Sequence, residues 1–140
     1  MASVRTEFLI EADVERVWQV IRDFESGPVR MAPGYVVGCT VEADVRVVTF
    51  ASGVVARERL IGIEEDARRI VYTLIGDTIR PEHDTASMQV LAEGVGHARF
   101  VWIHDVLPDD FAEPLRAAMI EGGEVIKQRF DQKSAPAQSA

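Results

Sequence analysis

Six short segments with strand-like character follow one another between residues 35 and 107, and this succession constrains the fold more than any other feature. We predict strands at about 35–43, 45–51, 53–63, 69–76, 83–92 and 97–107. The separators EAD, ASG, EEDAR, GDTIRPE and EGVG are rich in residues that favour tight turns. Strands joined by tight turns pair in antiparallel fashion. The sequence therefore predicts an antiparallel sheet made largely of consecutive hairpins.

The segments that flank this run predict one more strand and two kinds of helix. Residues 3–10 alternate as a first strand, and Asp13 can cap the helix that follows in DVERVWQVIRDF. The stretch ESGPVRMAPGY, with two prolines and two glycines, leaves room for at most a short second helix. After Pro108, an apolar stripe predicts a long final helix, with members Phe111, Leu115, Ala118, Met119, Gly122, Ile126 and Phe130.

This order of elements describes an α+β protein with a single domain. We expect a strongly curved antiparallel sheet of about seven strands, wrapped around the last helix, with two short helices after the first strand. A chain of 140 residues is long enough to bury a real core. We expect the domain to span residues 1–132 and the small, polar segment 133–140 to be a disordered tail.

Charge and composition exclude several classes of partner. The net charge of −8 and the pI near 4.8 argue against nucleic acid or an anionic membrane, because both require basic patches. No apolar run approaches the roughly 18 residues that a membrane span requires, and the first residues lack the apolar run of a signal peptide. The single cysteine excludes an internal disulfide and a multi-cysteine zinc site. We expect a cytoplasmic protein.

A carboxylate interrupts the apolar face of the strand predicted at 53–63. With a period of two, Glu58 shares a face with Val54, Ala56, Leu60 and Gly62. A buried, unpaired carboxylate costs several kcal/mol or keeps its proton. The position therefore implies a nearby partner, a wet cavity or a wrong assignment of faces.

The order of elements, together with particular residues, resembles the START-like or helix-grip superfamily, which includes the polyketide cyclase/dehydrase and lipid-transport group and the plant abscisic-acid receptors. The residues that carry the resemblance are ADVERVWQVIRDF, then GVVARERLIGIEEDARRIVYTLIGD, then ARFVWIHDVLP, then the final helix. It spans roughly residues 3–131. The resemblance implies a cavity between sheet and helix, apolar with a few polar groups. It is weak for function, because this fold hosts binders, cyclases, lyases and co-chaperones.

The resemblance also orients individual residues. Glu58 stands where the plant receptors have an inward glutamate, and the aromatic position of the family turns Tyr72 inward. Asp84 departs from a common tyrosine and would make the cavity more acidic. Val37 stands where those receptors carry a lysine that pairs with the carboxylate of the ligand, so a hormone receptor of that type is not expected. Combined with alternation and the helical stripe, the resemblance gives a ligand-binding set: Val37, Ala56, Glu58, Leu60, Tyr72, Asp84, Met88, Trp102, His104, Leu115, Met119, Gly122 and Ile126.

Each polar candidate also has a structural alternative. Glu58 either contacts a ligand or bonds to backbone or to a neighbouring arginine. Asp84 starts its alternating segment and could simply lie in solvent at the strand entrance. Tyr72 is either core or a cavity hydroxyl, and Trp102 is either a packing aromatic or a ligand contact. His104 lies near a strand end and is a candidate pocket residue.

Two mid-helix glycines form a further oddity. Gly122 and Gly123 each cost about 1 kcal/mol relative to alanine inside a helix. They mark a kink, a close approach of helix and sheet, or a widening of the cavity.

The first functional hypothesis is binding or carriage of a hydrophobic small molecule. An acidic pair would favour neutral hydroxylated or amine-bearing ligands over acids. The second is a cofactor-independent enzyme of the polyketide aromatase/cyclase type, in which Glu58, Tyr72 and Asp84 would provide catalytic groups for aldol closure or dehydration. The third is a protein-interaction module.

No metal or cofactor is expected, because the sequence lacks paired histidine or cysteine ligands and a phosphate-cradling loop. A homodimer could form through an edge strand near residues 35–42 or through the outer face of a helix.

Overall fold

The computed structural model describes residues 1–132 and contains seven strands and three α-helices within them. The helices are α1 (Val14–Ile21), α2 (Gly27–Met31) and α3 (Ala112–Asp131), and a single 3-10 turn, Asp109–Phe111, precedes α3. The strands are β1 (Ala2–Ile10), β2 (Val36–Glu42), β3 (Val45–Phe50), β4 (Val55–Glu64), β5 (Arg69–Asp77), β6 (His83–Ala92) and β7 (Ala98–Leu107).

All seven strands form one antiparallel sheet in the order β1-β7-β6-β5-β4-β3-β2. Neighbours from β2 to β7 are consecutive hairpins, and β1 joins the far side of β7. Register shifts occur in β2 between Val36 and Gly38, in β5 between Leu74 and Gly76, and in β4 between Leu60 and Gly62. Such bulges bend a strand and increase its twist, so they help the sheet to curve.

The helix α3 crosses the concave face of the sheet, and its two glycines permit close contact. A Cβ on Gly123 would lie 3.1 Å from the Phe8 ring, and one on Gly122 would lie 3.3 Å from the Tyr35 ring. The core beneath is apolar and fully buried at residues such as Phe100 and Ile70. The helix therefore lies close to the sheet at these glycines.

This architecture confirms the expected α+β helix-grip fold, with two short helices after the first strand. The first helix ends at Ile21, where it was expected to run on towards Phe24. The expected tail, residues 133–140, lies outside the described part of the chain.

Candidate functional site

A small cavity lies between the sheet, α2 and α3. It has a volume of about 70 Å³ and opens to the surface. Most of its wall is apolar, and polar atoms come from three strands, at Arg46, Glu58 and Tyr72. The remaining lining residues are Pro28, Met31, Ala32, Tyr35, Val36, Val48, Phe50, Met88, Trp102, Gly122 and Ile126.

An ion pair between adjacent strands forms the polar part of the wall. Arg46 and Glu58 are direct cross-strand partners, and Arg46 Nε donates to Glu58 Oε1 at 2.8 Å. The Arg46 side chain is 4% exposed and that of Glu58 is 13% exposed. Arg46 Nη1 also donates to the carbonyl oxygen of Phe24 at 3.1 Å, and the guanidinium lies over the Phe24 and Tyr72 rings. The carboxylate in the apolar row of β4 is therefore paired with a buried arginine.

The protonation of this pair follows from its surroundings. Burial lowers the pKa of Arg46, but the charge and hydrogen bond of Glu58 outweigh burial, and the net pKa is raised. Arg46 therefore stays charged. Arg46 Nη2 and Glu58 Oε2 form no hydrogen bond within residues 1–132. The Arg46 Nη2 group and the Glu58 Oε2 oxygen consequently remain available to a ligand beside the pair.

Tyr72 and Trp102 contribute aromatic rings to the cavity wall. Tyr72 is 3% exposed, and burial, with a further contribution from the negative charge of Glu58, raises its pKa well above the ordinary value. The Tyr72 hydroxyl is therefore protonated, and able to donate a hydrogen bond, throughout the physiological pH range. The indole nitrogen of Trp102 is buried and has no hydrogen-bond partner within the described residues.

A second buried pair lies behind these aromatic rings. The carboxylate of Asp84 accepts a hydrogen bond from His104 Nδ1 at 2.6 Å, and the two residues are 4% and 8% exposed. The His104 ring lies 5.9 Å from the Trp102 ring and 6.4 Å from the Tyr72 ring, centroid to centroid. Neither member of the pair lines the cavity. Among the residues within 1–132 that line the cavity, Arg46 and Glu58 therefore supply one positive and one negative charge, and no second acidic side chain is present.

The structure brings together six residues of the ligand-binding set at the cavity: Glu58, Tyr72, Met88, Trp102, Gly122 and Ile126. It places the other seven elsewhere: Val37, Ala56, Leu60, Asp84, His104, Leu115 and Met119.

The expectation for Val37 is wrong by one residue. Val37 is 58% exposed, whereas Val36 is 5% exposed and lines the cavity. The register shift between Val36 and Gly38 displaces the inward face at this point of β2. The expectation of an acidic pair in the cavity is also wrong, because Asp84 is buried against His104 outside the lining, and Glu58, which does line the cavity, is paired with Arg46.

Four further members of the predicted ligand-binding set lie outside the cavity lining because their side chains point to other parts of the structure. Leu60 packs at the edge of the core and pairs with Tyr72 across the strands. Met119 is 1% exposed and lies on the α3 surface that faces β1. Ala56 and Leu115 are half-buried away from the lining.

Sequence reasoning missed Arg46 and the α2 side of the cavity. A signal for Arg46 was present, since a hairpin turn centred on Ser52 places Arg46 opposite Glu58, each six residues away. Alternation in VRVVTF also puts Arg46 on one face with Val48 and Phe50. The wall contributed by Pro28, Met31 and Ala32 had no such signal.

Comparison with known families decides the relationship. Residues 1–132 match the family described as polyketide cyclase/dehydrase and lipid transport. The chain belongs to this polyketide cyclase/dehydrase and lipid-transport family. A search of curated proteins finds no match.

Solved structures share the fold of this family member. XoxI from Bacillus cereus has a TM-score of 0.83 at 20% identity, covering 96% of this chain and 99% of its own. A START superfamily protein from Mycobacterium smegmatis has a TM-score of 0.74 at 16% identity, covering 93% and 97%. The aromatase/cyclase Zhui from Streptomyces sp. R1128 has a TM-score of 0.69 at 15% identity, covering 94% and 92%. At these identities the likeness concerns the fold.

Metal and membrane signals are absent from the described part of this family member. Residues 1–132 contain no group of three or more histidine, cysteine or acidic side chains placed to hold a metal ion. None of their helices is long and apolar enough to cross a membrane.

Proposed function

We propose that this protein binds or carries one hydrophobic small molecule in the cavity between the sheet and α3. The observation that carries the proposal is the Arg46–Glu58 pair, which is buried at the wall of a largely apolar cavity and leaves Arg46 Nη2 and Glu58 Oε2 unused. Membership of a family that includes lipid transport supports the same reading.

The cavity expands when the ligand enters. Its volume of about 70 Å³ holds a few water molecules, whereas sites for small molecules commonly measure about 300–1,000 Å³. The short helix α2 and the Tyr35 side chain are the elements that can yield, because both lie at the wall and Tyr35 is half-buried. Expansion there enlarges the cavity without breaking the sheet.

The ligand carries a hydroxyl group. A hydroxyl can accept from Arg46 and donate to Glu58 at the same time, which matches the two unused positions. A carboxylate would be repelled by Glu58, and an ammonium group would be repelled by Arg46. The balanced pair therefore favours neutral hydroxylated ligands and removes the reason to expect amines.

The test is a calorimetric titration with three naphthalene probes of similar size: 2-naphthol, naphthalene-2-carboxylate and 2-(aminomethyl)naphthalene. We expect the neutral 2-naphthol to bind most tightly. A tighter carboxylate or amine would contradict the assigned polar contact, and no binding of any probe would contradict the cavity itself.

Two glycine variants provide a matched control for the location of the site. Gly122→Ala adds a methyl group between Tyr35 and Trp102 at the cavity wall, and Gly123→Ala adds one against Phe8, outside the lining. We expect Gly122→Ala to weaken 2-naphthol binding about tenfold, since overpacking in such contacts typically costs about 1–3 kcal/mol. Gly123→Ala should leave affinity within about twofold. Equal effects would place the probe elsewhere.

A second candidate function is cofactor-independent aldol closure or dehydration. It is favoured by one arrangement, the protonated Tyr72 hydroxyl near the unused Glu58 oxygen, because a hydrogen-bond donor and a carboxylate base are what enolate chemistry requires. A carrier returns 2-naphthol and other ligands chemically intact. Conversion of a poly-carbonyl substrate that is lost in Glu58→Gln, with the fold retained, would establish the enzyme instead.

A further inference from the structure

The outer edge of β1 presents backbone groups that have no strand partner in residues 1–132. In an antiparallel sheet, the N–H and C=O of one residue of an edge strand both point towards the neighbouring strand, and those of the next residue both point away from it. The carbonyl of Leu9 accepts from Lys127 Nζ at 2.8 Å, and the N–H of Glu11 donates to Asp131 at 2.8 Å. The backbone N–H and C=O groups of the odd-numbered residues of β1 therefore point away from β7.

The helix α3 satisfies only one end of this edge. Lys127 and Asp131 occupy the positions beside Leu9 and Glu11. The backbone groups of Arg5 and Glu7 point the same way by alternation. Their side chains bridge each other at 2.9 Å on the outer face of the sheet, and Glu7 also accepts from Arg99 of β7 at 3.2 Å.

We propose that a second copy of this chain pairs with β1 along this edge, antiparallel, with a two-fold axis at Thr6. In this register Arg5 lies opposite Glu7 of the second copy, and Glu7 lies opposite its Arg5. Both are hydrogen-bonded positions, so the two pairs exchange four backbone hydrogen bonds. The result is one continuous sheet across two copies.

Charge selects this register over its neighbours. If the two-fold axis moves from Thr6 to Arg5, Arg5 lies opposite Arg5 of the second copy. If the axis moves to Glu7, Glu7 lies opposite Glu7 of the second copy. Like charges directly opposite each other destabilise a strand pair, and opposite charges stabilise it. Only the register centred on Thr6 pairs both charges with their complements, as an isologous interface requires.

Apolar surface beside the edge supports a covering partner. Ile120 of α3 is 54% exposed and borders, with Met119 and Phe8, a groove of about 280 Å³ between α3 and β1. Ile120 and Lys127 lie on the same side of α3, at the edge where the second copy would dock. The interface thereby gains an apolar contact next to its hydrogen-bonded strands.

The opposite edge of the sheet suits this role less well. Strand β2 has a single charged side chain, Glu42 at its end, and no opposite charge to pair with it in a symmetric register, and it contains the shift between Val36 and Gly38. Bulges of this kind protect edges against pairing. We therefore place the dimer at β1.

The test measures self-association of the complete chain by analytical ultracentrifugation across a concentration series. We expect a monomer–dimer equilibrium. Arg5→Glu and Glu7→Arg should each raise the dimer Kd about tenfold or more, because two symmetric pairs become repulsive. The double variant Arg5→Glu/Glu7→Arg restores complementarity and should return the Kd to within about threefold of the original. The control Arg69→Glu alters an exposed salt bridge on central strand β5 and should leave the Kd unchanged.

Amide hydrogen exchange gives an independent readout. The N–H groups of Arg5 and Glu7 should exchange quickly in dilute samples and become protected as the dimer forms. The N–H groups of Val4 and Thr6, which face β7, should be protected at every concentration. A monomer at all concentrations would overturn the proposal. So would a dimer insensitive to the single reversals, a double variant that fails to recover while its thermal unfolding is unchanged, or protection that appears in β2 instead.

Discussion

Replacing Glu58 with leucine should destabilise the protein by about 3–5 kcal/mol, because the change leaves Arg46 charged, buried and without its carboxylate. Arg46 is 3% exposed, so water can reach the guanidinium only through the small cavity and replaces the lost partner incompletely. Its bond to the Phe24 carbonyl and its contacts with the Phe24 and Tyr72 rings remain. These remaining contacts favour the lower half of that range. Glu58→Gln keeps an acceptor for Arg46 Nε, and should cost about 1–3 kcal/mol.

A double-mutant cycle isolates the coupling within the pair. The variant Arg46→Met/Glu58→Leu replaces both charges with apolar groups, and such replacements are often neutral or stabilising. We expect the double variant to be more stable than Glu58→Leu alone, and the coupling to be about 2–3 kcal/mol.

Equilibrium unfolding in urea, followed by circular dichroism at neutral pH, measures each free energy. An equal slope of free energy against urea in all variants would show that the folded and unfolded states keep their compactness. Two results would refute the reasoning: a cost of less than about 1 kcal/mol for Glu58→Leu, or a double variant whose destabilisation equals the sum of the singles.

Further predictions concern the groups around the cavity. Because burial raises the pKa of Tyr72, the unfolded chain loses this proton first, so its contribution to stability is complete below about pH 10 and falls as the pH rises further. Melting temperatures between about pH 8 and 11 should therefore decline less steeply in Tyr72→Phe than in the original protein, and an identical decline would contradict the assignment. Asp84→Asn should cost about 1–3 kcal/mol in urea unfolding, because it weakens a buried hydrogen bond to His104. The same variant should leave 2-naphthol affinity unchanged, since Asp84 lies outside the cavity lining, and a large loss of affinity would place Asp84 in the site.

The fold could be predicted from the sequence because the spacing of apolar residues and the positions of turn-forming residues indicate the same strands and helices. The hairpins between β2 and β7 follow separators such as ASG and EGVG, and the stripe from Phe111 to Phe130 required one long helix. Glu58 was also recognisable as a residue that needs a partner, and a neighbouring arginine was one of the partners considered. Arg46 now answers that question.

The details of the site were less accessible because they depend on register and packing. A single shift in β2 turned Val37 outwards, and alternation cannot reveal a shift before the strands are paired. The sequence presents Asp84 as a cavity acid or a solvent-exposed residue. In the structure its direct partner on β7 is Val106, and His104, two residues from Val106 along β7, holds Asp84 within the core by a hydrogen bond. The cavity volume depends on how Tyr35 and Trp102 fill the space beside Gly122, and pattern alone does not give that packing.

The central claim is that a hydrophobic molecule enters the space beside the Arg46–Glu58 pair. Isotope-filtered nuclear Overhauser measurements on the protein saturated with 2-naphthol test it most directly. We predict contacts from the naphthalene protons to Met88, Trp102 and Ile126, the apolar lining around the pair. Contacts confined to exposed apolar side chains such as Ile61 and Val95, with none at the lining, would contradict the account.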